Sequence, residues 1–318
     1  MKKNFFLATM MAALALSGGQ AFAGLSASGD ATISGMFDGS PLVIRSSSRF
    51  AGAIYSVTWK GMEFINSHDH GRLLQSASSF DGEGECFNPT EGGSSDDGVS
   101  QTSTSKLLAL YQGAGLLASH TQMAFWLKHG ETDGPHCTGA VNKTALSNHS
   151  LSKNVRIGFG GMPNVIEYIV AFQTPIDEHH TNAQFEALTG YMPGAFSRFW
   201  TYDGMTLADL APSAGVTPTG IKRGGQQILP VITGTPDKRF AMGIYSPDLP
   251  QKGRHGGYGR AQFAMGSPNA VVKWNAVFHY EGAQVKPGQA YGFRLYVIIG
   301  SVNEVAASMK ALMALSPH

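Results

Sequence analysis

Most of the chain alternates apolar and polar residues with a period of two, the pattern of half-buried β-strands. The alternation is clearest in Leu116–Lys128. Val155–Phe159 and Asn164–Phe172 flank Gly160-Gly161-Met162-Pro163 and predict a hairpin. Further strands are predicted at Gly24–Asp38, Ala51–Trp59, Met62–Ile65, Gln227–Thr233, Phe240–Tyr245, Val271–Tyr280 and Tyr291–Gly300.

A helix is predicted with good signals only at the C-terminal end. Ser301 and Glu304 have the spacing of a capping box. Apolar residues then recur at helical spacing, at Val302, Val305, Ala306, Met309, Leu312 and Met313. Lys286-Pro287-Gly288-Gln289 predicts a type II turn, since proline fixes φ and glycine accepts a positive φ. Many strands, 40 glycines and one terminal helix predict an all-β fold, a large antiparallel β-sandwich with a short C-terminal helix.

The first 23 residues have the pattern of a secretory signal peptide. Lys2 and Lys3 precede an apolar run that ends in Ala21-Phe22-Ala23. The run is shorter than the roughly 20 residues needed to cross a bilayer, so membrane insertion is not expected. Residues 24–318 are expected to form a single exported domain, in a bacterial periplasm or outside the cell, because no linker separates two balanced halves.

Cys86 and Cys137 are the two cysteines of the chain. In an oxidising compartment an even pair favours a disulfide, and the alternative is two buried, unpaired thiols. A bridge would stabilise the fold by about 3–4 kcal/mol in the chain-entropy model. It would also fasten the turn at Glu85–Glu91 to a second loop.

Net charge argues against some partners. The chain has 23 Lys and Arg against 22 Asp and Glu, and loss of Lys2 and Lys3 would leave one net negative charge. A near-neutral chain without a basic stripe is not expected to bind nucleic acid or an anionic membrane.

Candidate chemistry is concentrated between Trp59 and Gly93, although only 14% of all residues are charged. The cluster contains His68, Asp69, His70, Arg72, Asp81, Glu83, Glu85, Asn88 and Glu91. In a strand, His68 and His70 would face one way and could act as acid and base, or bind a metal. Arg72 could clamp a uronate carboxylate. The alternative is a polar turn whose histidines satisfy backbone groups.

The glutamates of this cluster suggest hydrolysis. Two carboxylates across a sugar ring are the usual machinery of glycosidases, with one pKa raised by burial. Glu85 and Glu91 are favoured because a disulfide at Cys86 would hold their turn rigid. The alternative is that they are solvated acids of a loop. The polar stretch Glu91–Ser105 is either a lid or a disordered loop.

Two further stretches are candidates for the same groove. Glu178-His179-His180 precedes Glu186, and Trp200 lies in an aromatic run that is either a sugar-stacking surface or a half-buried strand. Tyr258 and Arg260 belong to a glycine-rich loop that either contributes to a groove or is an exposed turn. Four histidines, at positions 68, 70, 179 and 180, could meet around a metal, but they lack a close-set ligand motif. No cofactor is therefore predicted.

The two ends of the exported chain resemble a known superfamily. Gly52–Ile65 (GAIYSVTWKGMEFI), the following Gly71-Arg72 and the closing VKPGQAYGFRLYVIIGS are similar to motifs of the galactose mutarotase-like β-supersandwich proteins. The resemblance implies that fold and a carbohydrate ligand. It also implies that Pro175–Phe185 is a distant version of the stretch carrying the epimerase histidine, with Arg72 as the family arginine. Glu281 is the only acid near the place of the family base, and its surroundings differ from that motif, so mutarotation is not the leading expectation.

Together these patterns predict an exported carbohydrate-active enzyme that cleaves glycosidic bonds by acid/base catalysis. The alternatives are a polysaccharide lyase or aldose epimerase on the same fold, and a non-catalytic sugar-binding protein. The predicted catalytic residues are His70, Glu85, Glu91 and His179. The predicted substrate-binding residues are His68, Asp69, Arg72, Asn88, His180, Glu186, Trp200, Tyr258 and Arg260.

Overall fold

The computed structural model describes residues 26–113, 115–134, 137–211, 227–251 and 256–315. The predicted signal peptide lies outside the described residues. The strands are β1 (Asp30–Phe37), β2 (Ser40–Ser47), β3 (Ile54–Trp59), β4 (Met62–Glu63), β5 (Leu74–Phe80), β6 (Pro89–Thr90), β7 (Lys106–Gly113), β8 (Leu116–Phe125), β9 (Leu146–Phe159), β10 (Met162–Gln173), β11 (Asn182–Pro193), β12 (Arg198–Tyr202), β13 (Leu207–Leu210), β14 (Val231–Gly234), β15 (Ala241–Tyr245), β16 (Gly257–Phe263), β17 (Val271–Glu281) and β18 (Ala290–Gly300). Within the described ranges one α-helix, α1 (Val302–Leu315), follows the strands, and short 3₁₀ helices lie at Ser48–Phe50, Gly84–Phe87, Ser95–Asp97 and Gly282–Gln284.

The strands form two large antiparallel arrays. One runs in the order β7-β8-β9-β10-β18-β15-β14-β12-β13. The other runs β1-β2-β3-β5-β11-β17-β16, with β4 beside β3. The short strand β6 pairs with both β5 and β8 and connects the arrays. The predicted fold class, all-β with a short C-terminal helix, is confirmed.

A large core holds the fold together because inward-facing residues of both arrays pack against one another. Ile44, Val57, Phe185, Trp274 and Leu295 are among its buried members. Each buried side chain of this size contributes about 1.5–3 kcal/mol relative to an exposed one.

Helix α1 packs on the outer face of β15 and β18. Its buried residues Val305 and Met309 join a second apolar cluster that contains Trp200. A β-carbon at Gly243 would lie 2.5 Å from Val305, so glycine is required for this close approach. The predicted capping box is confirmed, since Ser301 N donates to Glu304 Oε2 (2.7 Å) and Glu304 N donates to Ser301 Oγ (3.3 Å). No helix among the described residues has the length and apolarity to cross a membrane.

The predicted hairpin is confirmed as β9 and β10, and the turn at Lys286-Pro287-Gly288-Gln289 has the expected positive φ of 64° at Gly288. Seven strands were not predicted: β2, β5, β6, β7, β11, β13 and β16. Strand β5 (LQSASSF) is buried on both faces except at Ala77, so it has no alternation to detect.

The stretch after β6 is neither a free lid nor a loose loop. Glu91 to Ser94 are buried. The Asp97 carboxylate accepts hydrogen bonds from Ser94 N (2.7 Å), Thr104 N (2.8 Å) and Thr104 Oγ1 (2.7 Å). These bonds close the stretch onto itself and fix its path.

Candidate functional site

A polar pocket of about 160 Å³ lies over neighbouring strands β5, β11 and β17. Its lining residues are Gly71, Gln75, Ala77, Glu85, Asn88, Thr90, Trp126, Asp133, Glu186, Thr189, Tyr191 and Lys273. Three predicted site residues, Glu85, Asn88 and Glu186, are therefore brought together here. Five of the twelve carry carboxylate, ammonium or phenol groups, so the pocket can transfer protons and bind hydroxyls.

A β-bulge in β11 directs its side chains into this pocket. The register with β17 shifts between Glu186 and Leu188, so the side facing the pocket changes from even to odd positions. Glu186 before the bulge and Thr189 and Tyr191 after it consequently line the same pocket. Bulges often re-aim side chains beside active sites. Opposite Trp274, a β-carbon at Gly190 would lie 2.4 Å from the indole ring, so the strand needs glycine there.

Glu186 is held by three donors at the floor of the pocket. Its Oε1 accepts from Asn275 Nδ2 at 3.1 Å, and its Oε2 accepts from Thr189 Oγ1 at 2.5 Å. Lys273 Nζ lies 3.4 Å from Glu186 Oε2, and both side chains remain 16% exposed. Burial would lower the pKa of Lys273, but Glu186, Tyr191 and Glu85 outweigh it and raise that pKa. The carboxylate is fixed in place yet open to a ligand.

Glu85 supplies the second carboxyl group. Burial raises its pKa to about 7, the negative charges of Glu186 and Asp133 add to the rise, and Lys273 opposes it. Near neutral pH the Glu85 carboxyl therefore holds a proton for a large part of the time. The pocket combines a carboxylic acid with a lysine-paired carboxylate.

A disulfide fixes the rim on which Glu85 lies. Cys86 is bonded to Cys137, with 5.2 Å between their Cα atoms, so the predicted bridge is confirmed. Cys86 belongs to the 3₁₀ helix Gly84–Phe87, next to Glu85. Cys137 pairs with Asp133 in a small β-bridge, and Asp133 also lines the pocket. The bridge thus joins two rim loops, as the sequence predicted for the turn at Glu85–Glu91.

Aromatic surface is provided by Trp126 and Tyr191. A β-carbon at Gly71 would lie 2.6 Å from the Trp126 ring, so this glycine lets the indole close over the chain. Flat indole rings can pack on the apolar face of a sugar. The Tyr191 phenol lies beside Lys273, whose Nζ is 5.2 Å from the ring centre. Burial raises the pKa of Tyr191.

A second polar cluster lies where β5 ends and β11 begins. Glu178 Oε2 lies 2.8 Å from His149 Nε2 and 3.1 Å from His180 Nε2. His180 Nδ1 lies 2.8 Å from Asp81 Oδ2. Burial alone would raise the pKa of Glu178, but the hydrogen bonds of both histidines lower it to about 2. Of the predicted residues, His180 belongs to this cluster.

Two predicted catalytic residues are fully buried. His70 makes ring-nitrogen hydrogen bonds with the carbonyl oxygens of Gly92 (2.7 Å) and Ser100 (3.2 Å). This geometry matches the alternative considered for it, a histidine that satisfies backbone groups. Glu91 pairs with buried Lys153 and accepts from Ser76 N at 3.0 Å. Neither lines the pocket.

The remaining residues of the first cluster lie near the surface. His68 lines a broad, shallow groove of about 640 Å³, together with Asn66 and Ser267. Asp69 Oδ2 lies 3.2 Å from Arg72 Nε, whereas Arg72 Nη1 is buried and has no hydrogen-bond partner within the protein, so the predicted carboxylate clamp stays a prediction. Asn66 N donates to Tyr191 O, so the groove adjoins the pocket through the main chain of Tyr191.

The other predicted binding residues are spread over the molecule. His179 is exposed, and Trp200 is buried under helix α1. The Tyr258 hydroxyl accepts from Ser246 N (2.9 Å) inside the core. Arg260 donates to Ala211 O (3.1 Å) and Gln227 Oε1 (2.8 Å). Trp200 thus follows the half-buried-strand alternative.

Lys273, Trp126 and Asp133 line the pocket but were not predicted to do so. Lys273 is the one ionisable residue in the apolar run VVKWNAVF, which is a usable signal, since a charge within a buried strand needs a partner. Trp126 and Asp133 had no local signal. Strand pairing of β8 with β6 brings Trp126 towards Glu85, and the Cys86–Cys137 bridge brings the Asp133 loop there.

No family model matches the chain, and no curated protein matches it. Among solved structures, the chain is similar to a galactose mutarotase related enzyme from Lactobacillus acidophilus (12% identity, 86% of this chain and 97% of that one, TM-score 0.44). It is also similar to a heparan sulfate lyase from Pedobacter heparinus (9% identity, 94% of this chain and 40% of that one, TM-score 0.43). An alpha-mannosidase from Enterococcus faecalis is 11% identical, and the similar region covers 86% of this chain and 30% of that one with a TM-score of 0.47. These structures include the kind of protein that the sequence motifs resemble, but at such distance no residue role is transferred from them.

Proposed function

We propose that the pocket is a carbohydrate active site in which Glu85 and Glu186 act as an acid and base pair on a glycosidic bond. The observation that carries the proposal is the contrast between the two carboxyl groups. Glu85 has a pKa of about 7, whereas Glu186 is held by Asn275, Thr189 and Lys273. Two carboxyl groups in contrasting environments are the arrangement that divides acid and base roles.

In the proposed reaction, protonated Glu85 donates its proton to the leaving glycosidic oxygen. The Glu186 carboxylate acts at the anomeric carbon, either directly or by taking a proton from water. Lys273 keeps the Glu186 carboxylate in position. Trp126 supports the sugar ring, and Asn88, Thr90 and Gln75 are available to its hydroxyls.

A second candidate is proton transfer at the anomeric centre of one free sugar, as in an aldose epimerase. The size of the pocket favours it, since about 160 Å³ is below the roughly 300–1,000 Å³ of common ligand sites and suits a single ring. Glu85 would protonate the ring oxygen while Glu186 takes the proton of the anomeric hydroxyl. A lyase has less support, because the raised pKa of Tyr191 keeps that phenol protonated near neutral pH and leaves little phenolate to act as the base.

The test is a panel of neutral and uronic oligosaccharides, assayed for new reducing ends, for ultraviolet-absorbing unsaturated products and, by NMR, for exchange between anomers. Glu85→Gln and Glu186→Gln should each lower the rate by at least about 100-fold, the usual range for general acid–base groups. Glu83→Gln is the matched control, since Glu83 is exposed, two residues from Glu85, and makes no side-chain cap bond.

The products identify the reaction. Reducing ends indicate a hydrolase, anomer exchange alone an epimerase, and unsaturated ends a lyase. Full activity in both glutamine variants would refute the site. Glycan binding with no product from any substrate would indicate a sugar-binding protein.

We also propose that the protein is exported. The N-terminal pattern and the Cys86–Cys137 bridge support this, because disulfides persist in oxidising compartments. Mass spectrometry of the protein from a periplasmic or culture fraction should find an oxidised chain starting near Gly24. A chain retaining Met1 with free thiols would contradict it.

A further inference from the structure

The second polar cluster has the donor set of a transition-metal site. His149 Nε2, His180 Nε2 and the Glu178 carboxylate place one ligand atom each within 4.8 Å of one another. In a tetrahedral zinc site with bonds of about 2.0–2.1 Å, neighbouring ligand atoms are about 3.3 Å apart. The separations of 2.8 Å and 3.1 Å between Glu178 Oε2 and the two imidazole nitrogens are close to that spacing.

Asp81 orients one of the imidazoles. The Asp81 Oδ2 atom is hydrogen-bonded to His180 Nδ1 at 2.8 Å. The other ring nitrogen of His180, Nε2, is therefore directed at Glu178. Asp81 is itself fixed, because its Oδ1 accepts from Thr181 N (2.7 Å) and Thr181 Oγ1 (3.0 Å). A carboxylate behind a metal-binding histidine is the usual outer arrangement of zinc sites.

Two phenylalanine rings hold the imidazole planes. The Phe80 ring centre lies 4.7 Å from that of His149 and 4.3 Å from that of His180. Phe87 lies 5.5 Å from His180 on another side. The histidines are almost enclosed, with side-chain exposures of 3% and 9%, whereas Glu178 is 27% exposed. The cluster is therefore rigid on the protein side and open to solvent on the Glu178 side.

We propose that His149, Glu178 and His180 form a binding site for a divalent transition-metal ion, with Zn²⁺ the best match, and that water completes its coordination. Two imidazole nitrogens and one carboxylate oxygen suit Zn²⁺, Ni²⁺ or Co²⁺, whereas Ca²⁺ and Mg²⁺ prefer oxygen ligands alone. This set differs from the four histidines considered in the sequence, of which only His180 takes part.

The ion would join segments far apart in the chain. His149 lies in β9, while Glu178 and His180 precede β11. Phe87, which packs on His180, shares the 3₁₀ helix Gly84–Phe87 with Glu85. The metal would thus stabilise the end of the sheet next to the rim of the pocket. The inference does not depend on the proposed reaction.

The test is equilibrium dialysis of the metal-stripped full-length protein against Zn²⁺, with bound metal measured by atomic emission and the midpoint of thermal unfolding measured in parallel. One Zn²⁺ per chain and a raised midpoint are expected, because a ligand of the folded state stabilises it. Ca²⁺ at the same concentration should do neither.

Variants identify the ligands. Glu178→Gln and His180→Asn should weaken Zn²⁺ binding by at least about 100-fold, and Asp81→Asn by about 10–100-fold, as for outer partners of zinc ligands. His179→Ala is the matched control, since this exposed histidine lies between the two ligands in sequence and should bind Zn²⁺ as the wild type does. Circular dichroism establishes that each variant is folded.

The proposal is overturned if the stripped protein binds less than about half an equivalent of Zn²⁺. It is also overturned if folded Glu178→Gln and His180→Asn bind it as tightly as the wild type. Loss of binding in His179→Ala alone would move the site to the surface and refute the assignment as well.

Discussion

Two lysine–glutamate pairs among the described residues differ in exposure and in partners. Lys153 and Glu91 are both fully buried, and Lys153 Nζ also donates to Gly52 O at 2.6 Å. Lys273 and Glu186 are 3.4 Å apart, and each is 16% exposed to the pocket. The same two residue types therefore occur once sealed in the interior and once at an open site.

The difference shows how burial separates structural from chemical roles. Protein groups bind both oxygens of each glutamate, but Glu91 and Lys153 are fully enclosed, so a ligand cannot reach Glu91. The open pair has a ligand-accessible side and a neighbour, Glu85, that is partly protonated near neutral pH. The first pair fixes the strands beneath the site, and the second is available for the reaction.

The largest expected effect comes from making the same substitution in each pair. Lys153→Met leaves an uncompensated buried carboxylate and should lower the free energy of unfolding by about 3–5 kcal/mol. Lys273→Met leaves Glu186 in the partly exposed pocket and should lower the free energy of unfolding by only about 1 kcal/mol. Urea denaturation at pH 7 measures both values.

Equal losses in the two variants would contradict the distinction between the pairs. The double variant Glu91→Gln/Lys153→Met supplies the control, because removing both charges should recover part of the stability that Lys153→Met alone loses.

The disulfide lies at the rim of the pocket that contains the exposed pair, and its removal should cause the next largest loss of stability. Cys86→Ala/Cys137→Ala frees a loop of about 50 residues and should destabilise the fold by about 2–4 kcal/mol. The Glu85 and Asp133 rims should also separate, so activity should fall at temperatures where the variant is still folded. Unchanged activity in a destabilised variant would show that the bridge does not position Glu85.

The strand pattern predicted the fold because one face of most strands is buried. Alternation located β8, β10 and β18, and the capping box at Ser301 located the helix. It missed β5 and β11, which form the floor of the pocket. Strand β5 is buried on both faces and β11 changes face at its bulge, so neither keeps a period of two.

For the candidate site, the sequence located residue types better than their positions. Glu85, Asn88 and Glu186 reach the pocket, whereas His70 and Glu91 are turned into the interior, only a few residues from Asn88 and Gln75 of the pocket lining. A local cluster of charge cannot show which members a fold will bury. The pairing of Glu186 with Lys273 depends on the register of β11 with β17, and that register is not encoded in either segment alone.

A smaller effect is the loss of folding stability caused by ionisation of buried Glu85. Its folded-state pKa of about 7 exceeds the usual value of 4.5, so its unfavourable contribution appears as pH rises from about 4.5 through 7. Glu85→Gln should match the wild type at pH 4.5 and exceed it by about 1–3 kcal/mol at pH 8. Denaturation at both pH values measures this. A variant less stable than the wild type at pH 8 would mean that the Glu85 charge is favourably paired.

The smallest expected effect is the change in the Glu85 pKa when a neighbouring charge is removed. Lys273 opposes the rise in the Glu85 pKa, while Asp133 contributes to it. Lys273→Met should therefore raise this pKa further, and Asp133→Asn should lower it, each by about one unit or less because the pocket is partly solvated. Carboxyl-carbon NMR titration with labelled glutamate measures the Glu85 pKa directly. Lys153→Met is the control: because Lys153 is paired with Glu91, its loss should leave the Glu85 pKa unchanged under conditions where the variant is folded. If Lys273→Met lowered the pKa instead, the loss of Lys273 would have exposed Glu85 to solvent, and the direct charge effect assigned to Lys273 would be refuted.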